Sequence, residues 1–233
     1  YFPNDVNGKE GLDLGDLRIT KNYLKNKKNQ YIEYLDIRKT FSKKSSIELL
    51  NYYESIFNVS ETLFKSIIKI YKKDTDISEK AFSRLKTLST LRFNYYPKQT
   101  KPVEISKQDG ILLGCETHVD SGIFTILYQS KVGGLQVQNR KTKKWFDVPC
   151  KRNAFVVNTG RALEYLTNGK FKATNHRVLW NKQKRLSIPF FFEPSYDFKM
   201  NLSFLNSEKY DDIGLSYGNF LNKSLKKFKE YQR

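Results

Sequence analysis

Eight short runs fill residues 88–194, and nothing else in the chain constrains its fold as tightly. They are "LSTLRFNYYP", "ILLGCETHVD", "IFTILYQ", "GLQVQN", "KWFDVP", "NAFVVNT", "FKATNHRVLWN" and "RLSIPFFFEP". Each is apolar or alternates apolar with polar residues at the two-residue period of a strand. Turn signals separate them, Gly133-Gly134 and Asn168-Gly169 being the clearest. A single short strand cannot bury its apolar face alone. A series of this kind predicts an all-β sandwich or barrel, with a jelly roll the leading candidate.

The flanks read differently. Residues 1–44 are polar and turn-rich and read as loop. Residues 45–73 read as a helix. Ser45 and Glu48 have capping-box spacing there, and Leu50, Tyr53, Phe57, Phe64, Ile67, Ile68 and Tyr71 form a core-facing stripe. Residues 203–233 read as a charged, amphipathic helical tail. The class is therefore mainly β with flanking helices, the first in an N-terminal helical region. No apolar run approaches the ~20 residues needed to span a bilayer. Cys115 and Cys150 are too few for a disulfide framework, so both read as small buried apolar residues in a reducing cytoplasm. The net charge of +18 would suit an acidic partner. The basic residues are scattered, however, and build no nucleic-acid-reading motif, so nucleic acid is not the expected partner.

The chemistry concentrates in two places. In "THVD", His118 and Asp120 stand at i and i+2, which on a strand point to one side. Alone this pairing is a common accident. The chain has only two histidines, though, and the second, His176, lies 58 residues on, far enough for a strand to return beside the first. Two imidazoles and one carboxylate with other positions open make the facial triad of non-haem Fe(II) oxygenases. Nine residues after His176, Arg185 and Ser187 repeat the i, i+2 spacing. A guanidinium fork beside a hydroxyl could hold the far carboxylate of a dicarboxylate whose other end chelates the metal. Upstream, Arg92, Asn94 and Tyr96 alternate with Leu91, Phe93 and Tyr95, giving one polar face that would suit a ligand pocket.

Taken together, "NYYPK", "HVD", "GGLQV", "VVNTG", "LTNGKFKATNHRV" and "RLSIPFFFEP" resemble the 2-oxoglutarate-dependent Fe(II) dioxygenase superfamily, in its isopenicillin-N-synthase-like branch. The resemblance runs over about residues 88–197, with a weaker echo in "YFP" and "GLDLG" near the start. It implies a double-stranded β-helix, a jelly-roll variant, in residues 88–200. Residues 1–87 would form an N-terminal region shorter than in other members, and residues 201–233 a C-terminal helical tail. It also implies Fe(II) on His118, Asp120 and His176, and 2-oxoglutarate on Arg185 and Ser187 with Tyr96 in contact and Asn94 nearby. Phe192 would back the pocket. The implied reaction consumes O2, releases succinate and CO2, and hydroxylates or desaturates a small organic substrate, with a cytoplasmic monomer as the expected form. Two features depart from the family pattern: Gly160 is followed by Arg161 where an aspartate is frequent, and the proline-rich stretch after "NYYPK" is reduced to "QTKP". Two other readings remain open here. One is an oxidase of the same fold that uses Fe(II) and O2 without 2-oxoglutarate. The other is a non-catalytic basic binding module. A nucleic-acid demethylase on this fold is disfavoured, because Arg185-x-Ser187 and "NYYP" resemble the small-molecule branch.

Overall fold

The computed structural model describes residues 9–15, 41–71, 81–82, 86–98, 102, 104–200 and 215–225. Two five-stranded antiparallel sheets face each other. The first holds β1 (Glu10–Leu14), β2 (Thr90–Tyr96), β10 (Arg185–Phe192), β5 (Phe124–Gln129) and β8 (Val156–Thr159), in that spatial order. The second holds β3 (Glu104–Ile105), β4 (Leu112–His118), β9 (His176–Leu179), β6 (Leu135–Gln138) and β7 (Trp145–Asp147). Every one of the eight runs forms a strand, and the crossed strand order is that of the jelly roll.

Two strands and a helix go beyond the sequence reading. Residues 10–14, read as loop, pair with β2 from Glu10↔Tyr95 to Leu14↔Leu91. The pairing is tertiary: β2 supplies the ladder that so short a glycine-containing segment could not nucleate by itself. β3 is two residues long and pairs with β4. The helix α1 spans Lys43–Tyr71. Its first turn is closed by Ser42, whose Oγ accepts the Ser45 backbone N–H at 3.2 Å, so the cap lies at Ser42 rather than Ser45. A short helix, α2 (Arg161–Leu166), and a C-terminal one, α3 (Tyr217–Leu225), complete the described elements. The expected helical residues 72–73, and the expected tail at 203–214 and 226–233, lie outside the described residues.

Strand alternation divides the interior. On β10, Phe190 and Phe192 face outward under α1, where Phe57, Phe64, Phe82 and Phe124 pack with them. Phe192 stacks on Phe82 at 4.1 Å and on Phe124 at 5.1 Å. This corrects the expectation for Phe192: it belongs to the helix-facing core and does not back the pocket. Arg185 and Ser187, of the opposite parity, face between the sheets. That inner space has a small apolar floor of Tyr96, Leu127, Leu135 and Val178.

Candidate metal centre

The two histidines meet because β4 and β9 are neighbours. His118 ends β4, His176 begins β9, and the antiparallel register sets them directly opposite, ring centroids 4.2 Å apart. Asp120 lies two residues beyond β4. Its Oδ1 is 3.8 Å from His118 Nε2 and 3.7 Å from His176 Nε2, too far for direct hydrogen bonds. The potential ligand atoms of all three residues lie within 4.8 Å of one another. Three donors converge on a common point.

Their surroundings prepare them for a cation. His118 Nδ1 donates to the Glu116 carbonyl at 2.8 Å, and His176 Nδ1 donates to the Thr174 carbonyl at 3.0 Å. A carbonyl can only accept, so each Nδ1 carries the hydrogen and each Nε2 keeps a lone pair for the metal. Asp120 Oδ2 accepts from Thr125 Oγ1 at 2.6 Å and from Asn158 Nδ2 at 2.8 Å. Oδ1 is thereby the oxygen turned toward the imidazoles. Thr125 and Asn158 are cross-strand partners on β5 and β8, which explains why both reach the same oxygen.

The loop carrying Asp120 is gripped by the start of α2. Arg161 N–H donates to the Asp120 carbonyl at 2.9 Å, and Ala162 N–H to the Ser121 carbonyl at 3.1 Å. A Cβ at Gly160 would overlap the Gly122 carbonyl oxygen, so this close approach requires glycine. The backbone of Arg161 makes the contact, and the arginine side chain is exposed. Behind the loop, Glu193 is buried against Gly122. Burial pushes its carboxyl up to about 8, against the pull of the Tyr217 phenol and with the Asp120 charge adding to the rise.

Charge in the centre is shared. Burial disfavours the Asp120 anion, but His176, His118, Thr125 and Asn158 together hold its pKa below the usual carboxylate value. Burial also opposes the His118 cation, yet Cys115 and Asp120 raise that imidazole to about 9. Burial and the His118 charge lower His176. A metal ion held here would compete with protons for the two imidazoles.

The second predicted pair also lies inside. Arg185 and Ser187 are each 2% exposed. Arg185 Nε donates to the Gly133 carbonyl at 2.8 Å, an Nη donates to Ser187 Oγ at 3.0 Å, and the guanidinium stacks over the Tyr96 ring at 4.9 Å. Both Gly133 and Gly134 have positive φ, so the glycine turn delivers the carbonyl that orients the arginine. The β10–β2 register sets Arg185 opposite Tyr96 and Ser187 opposite Asn94, and both partners are buried. Arg92 shares their parity but is taken by Asp13, with two contacts of 2.6 Å.

Arg177, next to His176, points to the other side of β9. Its fully buried guanidinium binds Asp109, Gln136 and Ser106 and stacks on Trp145, tying β9 to β6 and to the β3–β4 turn. It anchors the strand that presents His176.

Sequence reasoning missed four residues. Thr125 and Asn158 lie in apolar strand runs, and the "VVNTG" block that contains Asn158 was the one available signal. Lys9 is buried, with Nζ 3.6 Å from Cys115 Sγ. Cys115 is half-buried and beside His118, so it borders the candidate metal centre rather than serving as a buried apolar filler.

A jelly roll with two histidines and a carboxylate at one end of its interior defines a mononuclear metal-binding β-sandwich. Known proteins make the class specific. Residues 87–194 match the family model for the 2OG-Fe(II) oxygenase superfamily. Isopenicillin N synthase from Streptomyces griseus is 35% identical over 147 residues, which are 62% of this chain and 44% of that protein. A 2-oxoglutarate-Fe(II) type oxidoreductase from Aspergillus fumigatus is 34% identical over 200 residues, 82% of this chain and 55% of that protein. A solved 2OG-Fe(II) oxygenase family protein from Caulobacter crescentus superposes with a TM-score of 0.72 at 22% identity, covering 95% of this chain and 70% of that one. Residues 87–194 of the chain belong to the 2OG-Fe(II) oxygenase superfamily. The chain spans about half the length of the curated relatives it matches.

Proposed function

We propose that this chain carries the catalytic core of an Fe(II)- and 2-oxoglutarate-dependent oxygenase that hydroxylates or desaturates a small organic substrate. One observation carries the reading. Three metal-ligating side chains converge on one point, and a buried arginine–serine pair opens into the same inter-sheet space. The donor set fits Fe(II): two neutral-capable imidazoles with their Nε2 atoms freed, and one carboxylate oxygen turned inward. His118, Asp120 and His176 would hold the metal, which when bound supplies the O2 chemistry that oxidises a C–H bond as 2-oxoglutarate becomes succinate and CO2. Arg185 and Ser187 would receive the distal carboxylate. Tyr96 supports the guanidinium from its ring face, and Asn94 lies one register row away.

No helix among the described residues is long and apolar enough to cross a membrane. Cys115 and Cys150 form no disulfide, in keeping with a cytoplasmic setting, and we propose action there as a monomer on a freely diffusing substrate. Similarity to isopenicillin N synthase favours one second reading, an oxidase of this fold that uses Fe(II) and O2 without 2-oxoglutarate.

Anaerobic titration with Fe(II) and then 2-oxoglutarate separates the two. The oxygenase reading expects a visible metal-to-ligand charge-transfer band that needs at least about tenfold more 2-oxoglutarate in Arg185→Ala, through loss of a charge-assisted pair. Iron binding with no band selects the oxidase. No iron binding by the folded protein defeats both.

A further inference from the structure

α3 contributes no ligand to the triad, yet its first turn is packed deep in the molecule. Tyr217, which opens it, is fully buried, and Leu221 is buried one turn on. Tyr217 N–H donates to the Phe198 carbonyl at 2.8 Å and Gly218 N–H to the Tyr196 carbonyl at 2.9 Å. A Cβ at Gly218 would overlap the Tyr196 ring, so the helix approaches this closely only with glycine. Two lines of contact run from α3 to the turn that carries Asp120. On one, the Tyr217 phenol faces the Glu193 carboxyl, its hydroxyl closing no hydrogen bond of ordinary geometry. Glu193 in turn presses on Gly122, where a Cβ would stand 3.0 Å from Glu193 Cγ. On the other, the Phe220 ring meets Tyr165 of α2 at 5.9 Å. The first N–H groups of α2 hold the Asp120 and Ser121 carbonyls.

Neither line would matter if Glu193 could swing away. Its backbone is fixed: the N–H donates to Ser89 Oγ at 2.9 Å, and the carbonyl accepts from Thr87 Oγ1 at 2.7 Å and from Ser89 Oγ at 3.1 Å. The turn is also tied to the end of β10, because Ile123 N–H donates to the Phe192 carbonyl at 3.0 Å. Close-packed interiors transmit displacement rather than absorb it. A shift of α3 therefore reaches Gly122 and the carboxylate two residues before it. Resting on the metal-binding reading above, we infer that α3 is a positioning element for the metal centre. Tyr217, through Glu193, and Phe220, through Tyr165, set the turn that aims Asp120 at the two imidazoles. α3 and the metal are then energetically coupled, although they do not touch. Such coupling is reciprocal. A docked α3 tightens metal binding, and a bound metal tightens the docking of α3 by the same factor.

The test uses the full chain under anaerobic conditions, with Fe(II) as the ligand. Competition with a chelator measures metal affinity, and amide hydrogen exchange measures the docking of α3. Tyr217→Ala is expected to weaken Fe(II) binding by about 5- to 150-fold, the usual range for coupling between separate sites. Tyr217→Phe keeps the packed ring and should retain wild-type affinity. Ile68→Ala, on the core face of α1, lowers stability outside both lines of contact and should leave affinity unchanged. In the wild type, saturating Fe(II) should slow exchange of the amides of residues 217–225 by the factor that Tyr217→Ala loses. Wild-type affinity in Tyr217→Ala overturns the inference, as does equal weakening by Ile68→Ala. If Tyr217→Ala does not fold, the wild-type exchange experiment decides alone: α3 amides that exchange at one rate with and without Fe(II) overturn the inference. Failure of the folded wild type to bind Fe(II) is a different result, because it removes the metal-binding reading on which the inference rests.

Discussion

The two faces of one strand do opposite work. On β10, Phe190 and Phe192 face α1 in a dry aromatic layer and are fully buried. Arg185 and Ser187, on the other face, are almost as buried but polar, held by the Gly133 carbonyl, by each other and by Tyr96. Burial is nearly equal, so burial alone does not tell a structural face from a functional one. The difference lies in what satisfies each side chain. Dispersion and apolar area suffice for phenylalanine, whereas a buried guanidinium requires directed partners or a ligand. The outer face should therefore control stability, and the inner face binding.

Substitutions should separate these roles. The largest effect is expected from Phe192→Ala, which opens a cavity beside Phe82, Phe124 and Phe57. A loss of ~3–5 kcal/mol in denaturant unfolding is expected, and an unchanged midpoint would break the division between faces. Asp120→Ala should leave the unfolding midpoint nearly unchanged while removing measurable Fe(II) binding. Normal succinate formation by that variant would defeat the triad. Thr125→Val removes one of the two bonds to Asp120 Oδ2 and should weaken metal affinity by about 10- to 100-fold, read by competition with a chelator.

The remaining expected effect concerns pH. Glu193 has a folded pKa pushed up to about 8 by burial, above its ordinary 4.5. Between those values the folded state binds more protons than the unfolded one, so stability falls as pH rises. The contribution is complete below about 4.5 and lost through about 8. Glu193→Gln should flatten that part of the stability–pH curve, and an unaltered slope would show that Glu193 does not titrate there.

What could be read in advance follows the same division. The eight core strands showed as period-two runs because each buries one face. β1 did not: "EGLDL" contains a glycine and sits in polar surroundings, and only the ladder offered by β2 makes it a strand. α2 is six residues long, too short to display helical periodicity. His118 and His176 stood out because the chain has no other histidines, and Arg185 and Ser187 because of their spacing beside the second one. Lys9 was hidden by abundance, since nothing local distinguishes it in a chain so rich in basic residues. Thr125 resembled an ordinary β-branched strand residue. Its hydroxyl acquires meaning only when β8 places Asn158 opposite.

The main-chain acceptors of the two histidines have an evolutionary consequence. The Glu116 and Thr174 carbonyls persist under any single amino-acid replacement, so no point mutation at those positions deletes the acceptor that sets either imidazole tautomer. Asp120 lacks that protection. The orientation of its carboxylate depends on two specific side chains, Thr125 and Asn158, and hence on two codons that can drift. In a diverging lineage the histidine half of such a centre would be mutationally robust, and decay would begin at the partners of the aspartate.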